Sequence, residues 1–335
     1  MLIIVIGASR GGLEAIKHIL MAIPENFPAS VLVAMHVGAF DSQLPSILGP
    51  YCKLEVRHAV DGEPLEPNRV LIAPPDRHLL VDGQNLRLIK GAKENFSRPA
   101  IDPLFRSTAI SHRENVIGII LTGDLDDGTV GLQAVKTCGG VALVQDPLEA
   151  TAPSMPSSAL RHVDIDGCLP LSLLADKVIA LTQRTSIDLQ RSRASLPTPV
   201  MVLENTLSLE GVLASVSDLD AVASRSTLTC PECNGVLWEM DNAPFRYRCH
   251  TGHTFSELTY RSTQDKSIEE SLWGAVRALH EKQTLMERMK NNAHEHGRAE
   301  AAAEYGLLAE QAGEQSKALI SLLKMHAVVP DAASS

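Results

Sequence analysis

Short runs of β-branched and aliphatic residues recur through the first half of the chain, each bounded by glycine, proline or polar positions: residues 2–6, 30–35, 70–72, 116–121 and 141–144. Between them lie stretches whose apolar positions return every three or four residues. An unbroken apolar run suits a strand buried on both faces, and its alternation with amphipathic helices predicts parallel βαβ units. Strand signals crowd together over 54–90, where Pro74-Pro75 and Asp82-Gly83 supply turns, so an antiparallel hairpin is expected at one edge of the sheet. Residues 171–183 carry the pattern of a closing helix. The expected fold class is therefore α/β, a doubly wound and mostly parallel sheet over residues 1–183.

The pattern changes beyond that point. Residues 184–228 are rich in Ser, Thr and Ala and contain Pro197 and Pro199, which predicts a linker with a short extended piece around 200–203. A cysteine-containing module occupies 229–260, and 261–328 reads as a helical hairpin broken near 291–297. Ile268, Leu272, Ala275, Leu279, Met286 and Met289 form one seam; Tyr305, Leu308, Ala312, Leu319 and Leu322 form the other. The seams predict packing on the chain itself or on a second copy, a homo-oligomer.

Composition narrows the class. Hydrophobic residues make up 44% of the 335 and charged ones 21%, enough for an ordered core, while aromatics at 4% leave the packing to aliphatic side chains. The net charge of −10, without a long basic run, argues against a nucleic-acid partner. The apolar start lacks a basic flank and meets Gly7 almost at once, so it reads as a strand and not a signal peptide. No run approaches the ~20 apolar residues of a membrane span, so no membrane insertion is expected. Cys52, Cys138 and Cys168 are scattered while Cys230, Cys233 and Cys249 cluster, which points to a metal site in a reducing, cytoplasmic setting.

Ser9 sits in Gly7-Ala8-Ser9-Arg10-Gly11-Gly12, after the first strand and before a helix. Such a turn exposes a hydroxyl at the sheet edge, with free helix-start N–H groups nearby. Alone, it reads equally as a phosphate cradle. His36 follows the second strand and Asp127 the strand at 116–121, so each lies past the carboxyl end of a parallel strand, where ligand sites form in open α/β sheets. Taken singly, His36 suits a packing role and Asp127 an N-cap of the helix at 129–136. Placed together, they suit a Ser-His-Asp relay.

From Ile3 to about Leu181 the chain resembles the catalytic domain of the bacterial chemotaxis protein-glutamate methylesterase family, the CheB type. The resemblance rests on Ile6-Gly7-Ala8-Ser9 with Gly11-Gly12, the histidine after strand two, Asp61-Gly62-Glu63 and Ile72-Ala73-Pro74. It continues through Arg98-Pro99-Ala100-Ile101-Asp102 with Leu104-Phe105, Leu121-Thr122-Gly123, Asp127-Gly128, Gly139-Gly140, Gln145-Asp146-Pro147 and Met155-Pro156. It implies a triad of Ser9, His36 and Asp127, backbone oxyanion donors at Arg10 and Asp124, and no cofactor for catalysis. The implied activity is demethylation of glutamate methyl esters on methyl-accepting chemoreceptors, with deamidation of glutamine as a companion.

Two positions depart from the family pattern. Where it has Thr-Gly-Met-Gly, this chain has Thr122-Gly123-Asp124-Leu125, and a carboxylate beside a developing oxyanion opposes it unless Asp124 turns away or pairs with a cation such as Arg10. Arg10 itself replaces a small polar residue. Many relatives carry an N-terminal receiver domain, whereas here the first strand begins at Leu2, so control by phosphorylation in cis is not expected. Asp124 also keeps a rival open, a degenerate esterase domain acting as a zinc-containing scaffold or binding module, and a hydrolase of small esters is a third possibility.

Cys230-Pro231-Glu232-Cys233, then Cys249 and His253, give a C-x₂-C…C-x₃-H spacing suited to a tetrahedral structural Zn²⁺ in a small ribbon, with His250 competing for the fourth position.

Overall fold

The computed structural model describes residues 1–38, 40–183, 195–211, 215–240 and 245–326. It divides into two units, Met1–Tyr260 and Arg261–Ser335.

The first unit opens with β1 (Leu2–Ala8), α1 (Gly12–Ala22), β2 (Ala29–Met35), the short α2 (Leu44–Leu48), β3 (Glu55–His58) and β4 (Arg69–Ile72). β5 (His78–Asp82) and β6 (Asn85–Ile89) follow, then α3 (Ile101–His112), β7 (Val116–Ile120), α4 (Thr129–Thr137), β8 (Val141–Gln145), α5 (Ser154–His162), β9 (Gly167–Leu169) and α6 (Leu171–Thr182). Seven strands make one sheet in the order β3-β4-β2-β1-β7-β8-β9, every neighbouring pair parallel. The sheet is doubly wound. Chain order runs outward to one side of β1 through β2 and to the other through β7, which opens a crevice at the carboxyl ends of these central strands.

Each face of the sheet carries its own core. Ile3, Val5, Leu32 and Val144 pack with Ile101, Phe105 and Leu132 from α3 and α4. Ile4, Ile6, Val31 and Ile119 pack with Ile16, Ile19, Leu174 and Val178 from α1 and α6. The alternation of one strand's residues between two cores explains why these strands are apolar on both faces and not at every second position.

The 54–90 segment differs from expectation. β5 and β6 do form an antiparallel hairpin, but as a separate two-stranded sheet, and the edge of the main sheet is taken by the parallel β3. The hairpin buries Leu79, Val81 and Leu86 in the core shared with α3.

The segment expected as a linker is largely structured, though 184–194 lie outside the described residues. α7 (Pro199–Glu210) covers the stretch expected to be extended around 200–203. Thr198 caps it by accepting a hydrogen bond from Met201 N, and Pro199 stands in the first turn, where its missing N–H costs nothing. α8 (Val216–Asp220) follows, and β10 (Ala223–Thr229) joins β11 (Val236–Met240), β12 (Arg246–Cys249) and β13 (Thr254–Ser256) in a four-stranded antiparallel ribbon.

The second unit is a hairpin formed by α9 (Glu257–Glu295), whose first turn belongs to the first unit, and α10 (Ala299–His326). Gly297, with φ of 70°, makes the turn. The inner positions of α10 are Ala302, Ala309, Ala312, Ser316 and Leu323, whereas Leu322, expected in the seam, is exposed. Among the described residues no helix is long and apolar enough to cross a membrane.

Candidate active site

Parallel register sets Ser9 beside His36. Ala8 pairs with Met35 and Gly7 with Ile120, so the residues that leave β1, β2 and β7 emerge side by side. His36 N–H extends the ladder by donating to Ala8 O at 3.1 Å, and Ser9 N–H donates to Thr122 O at 2.9 Å. Gly11 then turns the chain with φ of 77°, and a Cβ there would meet the Thr151 side chain at 2.6 Å, so glycine is required on both counts. Gly123 faces a tighter limit. A Cβ at that position would meet Met155 Sδ at 2.0 Å and Ser9 Cβ at 2.8 Å.

The three side chains meet. His36 Nδ1 lies 3.1 Å from Ser9 Oγ, and its Nε2 lies 2.7 Å from Asp127 Oδ2. Asp127 is 2% exposed and His36 20%, so the carboxylate is sealed while the imidazole keeps one edge towards the crevice. Asp127 does not cap α4. That position belongs to Gly128, and the Asp127 carboxylate instead receives the backbone N–H of Ile101 at 2.7 Å and of Asp102 at 3.2 Å, the first turn of α3. Asn95 Nδ2 donates to its Oδ1 at 3.0 Å. Burial works against the charge on Asp127, but donation from His36, Ile101 and Asn95 outweighs it and holds the carboxyl below its ordinary range.

The surrounding carboxyls behave oppositely. Burial and the charge of Asp127 push Asp102 well up, although Gly131 N–H donates to it at 2.6 Å. Burial likewise raises Asp126 to about 6, with Ser256 Oγ donating to it at 2.6 Å.

The backbone amides of Arg10 and Asp124 have no acceptor among the described residues. Asp124 is also paired, its Oδ1 accepting from Arg10 Nη2 at 2.6 Å in an exposed ion pair, the cation partner the sequence offered for it.

In the ribbon, Cys230, Cys233, Cys249 and His253 bring their ligand atoms within 4.8 Å of one another, a group able to hold a metal ion. His253 Nδ1 lies 3.7 Å from Cys230 Sγ and 3.6 Å from Cys249 Sγ. His250 stands aside over Gly235, where a Cβ would meet its ring at 3.0 Å.

Asn95, Ser256 and Thr259 were not legible as site residues. Nothing in their local pattern points to the strand ends, and only the docking of the ribbon brings Ser256 and Thr259 to Asn95.

A doubly wound α/β domain with a serine, a histidine and an aspartate joined at its carboxyl rim is the class that fold and geometry define. The CheB methylesterase profile matches residues 4–178, and the chain belongs to that family. It is 38% identical over 182 residues to a putative protein-glutamate methylesterase/protein-glutamine glutaminase of Leptospira interrogans, covering 54% of this chain and 94% of that one. It is 35% identical over 187 residues to a protein-glutamate methylesterase/protein-glutamine glutaminase of Rhizobium johnstonii, with 55% and 51% covered. The crystal structure of the Thermotoga maritima CheB methylesterase catalytic domain aligns with a TM-score of 0.52 at 36% identity, covering 54% of this chain and 98% of that one. The profile ends before the ribbon and the hairpin.

Proposed function

We propose that this chain hydrolyses glutamate γ-methyl esters on a protein substrate, with Ser9 as nucleophile, His36 as general base and acid, and Asp127 as the group that orients the imidazole. The observation that carries the reading is the imidazole held between Ser9 Oγ at 3.1 Å and Asp127 at 2.7 Å, in a chain of the methylesterase family.

Asp127 can only accept, so Nε2 of His36 carries the proton that bridges them and Nδ1 is left as an acceptor for the serine hydroxyl. As Ser9 Oγ attacks the ester carbonyl, its proton passes to Nδ1, and the imidazolium is stabilised by the Asp127 carboxylate. The carbonyl oxygen, now anionic, falls to the free amides of Arg10 and Asp124; loss of one such donor costs about 10²–10³ in rate in other serine hydrolases. Nδ1–H then protonates the departing methoxide. Methanol leaves, and water, deprotonated by the same nitrogen, releases glutamate from the acyl-serine. A glutamine side chain would lose ammonia by the same steps. Methylated cytoplasmic segments of chemoreceptors are the substrate this reading implies.

The scaffold alternative draws on Asp124, and its pairing with Arg10 at 2.6 Å supports the hydrolase reading over it. A serine-directed fluorophosphonate should label the wild type and not Ser9→Ala, and methanol release from methylated receptor peptides should fall by about 10⁴–10⁶ in that variant. Labelling of neither protein sinks the hydrolase reading.

The Cys₃His donor set suits Zn²⁺, whose four protein ligands would close the shell and leave it structural. Metal analysis should find one zinc per chain, and none after Cys230→Ser with Cys233→Ser; retained stoichiometric zinc refutes the site.

A further inference from the structure

We propose that Asn95 is a positioning residue through which the ribbon controls the active site: β13 holds Asn95, and Asn95 holds Asp127. The inference rests on the triad assignment above and adds a regulator to it.

Asn95 is 7% exposed and lies in the loop between β6 and α3. Asn95 and Phe96 have φ of 49° and 62°, two consecutive left-handed residues. Asparagine tolerates that conformation, but phenylalanine does so only under outside constraint. The ribbon provides it. Asn95 N–H donates to Thr254 O at 2.9 Å, and the Phe96 ring packs on Phe255 with centroids 5.3 Å apart.

The side chain is clamped by the same segment. Asn95 Oδ1 accepts from Ser256 N–H and from Thr259 Oγ1, each at 3.3 Å. The Ser256 N–H on the oxygen, with the Thr259 hydroxyl shared between it and Ser256 O at 3.1 Å, fixes the amide's orientation and turns Nδ2 towards the catalytic side, where it donates to Asp127 at 3.0 Å and to Asp102 at 2.9 Å. One amide thus separates two carboxyls that would otherwise face each other, and it does so only while gripped from the ribbon. Thr254 directly follows His253, so the strand that grips Asn95 leaves from the metal cluster. Ser256 also reaches Asp126, the neighbour of Asp127.

The test uses the full chain and two readouts: kcat and KM for methanol release from a methylated glutamate peptide, and the low-field proton resonance of the His36–Asp127 hydrogen bond. Asn95→Ala should lower kcat about 10- to 100-fold with KM within about twofold, the range seen when outer-shell partners of catalytic groups are removed. Its His36 resonance should shift or vanish. Asn95→Asp keeps the shape and loses the donor, so it should fall at least as far, and it carries the test if the alanine variant does not fold. Ser256→Ala with Thr259→Val leaves Asn95 in place but frees it, and should lower kcat about three- to tenfold, the smaller effect of a step further from the chemistry. Wild-type kcat and resonance in Asn95→Ala overturn the proposal; wild-type behaviour in the Ser256/Thr259 pair alone overturns control by the ribbon. If the wild type releases no methanol, the hydrolase reading fails, and the dependence of the His36 resonance on Asn95 still decides this one.

Discussion

Asp127 and Glu204 are both sealed carboxylates, and their surroundings differ in kind. Asp127 is satisfied by amides, two from the start of α3 and one from Asn95, plus a single imidazole. Glu204, on α7, faces guanidinium groups. Arg246 donates to it through both terminal nitrogens at 2.9 Å, and Arg106 and Arg248 each approach to 3.9 Å. Glu94 completes the cluster, accepting from Arg106 at 3.0 Å; burial opposes its charge, but Arg106 and Arg248 hold its carboxyl down at about 2. Dipoles keep Asp127 charged without a permanent cation, and among the described residues its one side-chain partner besides Asn95 is the imidazole of His36. Full cations lock Glu204 and tie α3, α7 and β12 together. In the proposed triad the first arrangement would serve turnover, whereas the second is anchorage.

Asp127→Asn should separate the two most sharply. It swaps an acceptor for a donor opposite His36, favouring the wrong tautomer, and should lower kcat by about 10⁴, read as methanol release. Glu204→Gln should show the reverse pattern. Leaving buried guanidiniums without their counter-charge should cost about 3–5 kcal/mol in denaturant unfolding, while activity per folded molecule stays within a few-fold. A loss of activity from Glu204→Gln in fully folded protein would break the distinction.

Asp126 sharpens it further, being a buried carboxyl with neither kind of support. Its folded value of about 6 lies above the ordinary 3.8, so it contributes stability below pH 3.8 that is lost as pH rises through 6. Asp126→Asn stays neutral throughout. It should match the wild type near pH 4 and exceed it above pH 7 by at most about 3 kcal/mol, measured by urea unfolding across pH. A constant difference across that range would show that Asp126 does not titrate there.

The comparison also explains what could be read in advance. β1, β2, β4, β7 and β8 are dominated by apolar residues because both faces are covered, and Ser9 and His36 follow β1 and β2 directly, while Asp127 comes after β7 across the loop 121–126. α7 escaped because half of its inner face is polar: Glu204 and Asn205 are buried beside Met201 and Leu207, so the three-to-four spacing of apolar residues disappears. Its salt bridges reach Arg106 and Arg246, far off in sequence, and no local pattern announces them. β3 and β9 are edge strands of four and three residues, too short to show a period. Arg10 and Asp124 were legible as a departure, and their pairing as one of its two remedies.

The three residues of the proposed triad hang from one rim of the sheet, at a spacing set by the pitch of adjacent strands, so the opposite rim is silent in the proposed chemistry. Pro24, Glu25 and Asn26, exposed in the turn that enters β2, lie on that silent side. A graft, an inserted tag or a new pair of chain ends belongs there, where the chain can be lengthened without moving any atom that does chemistry.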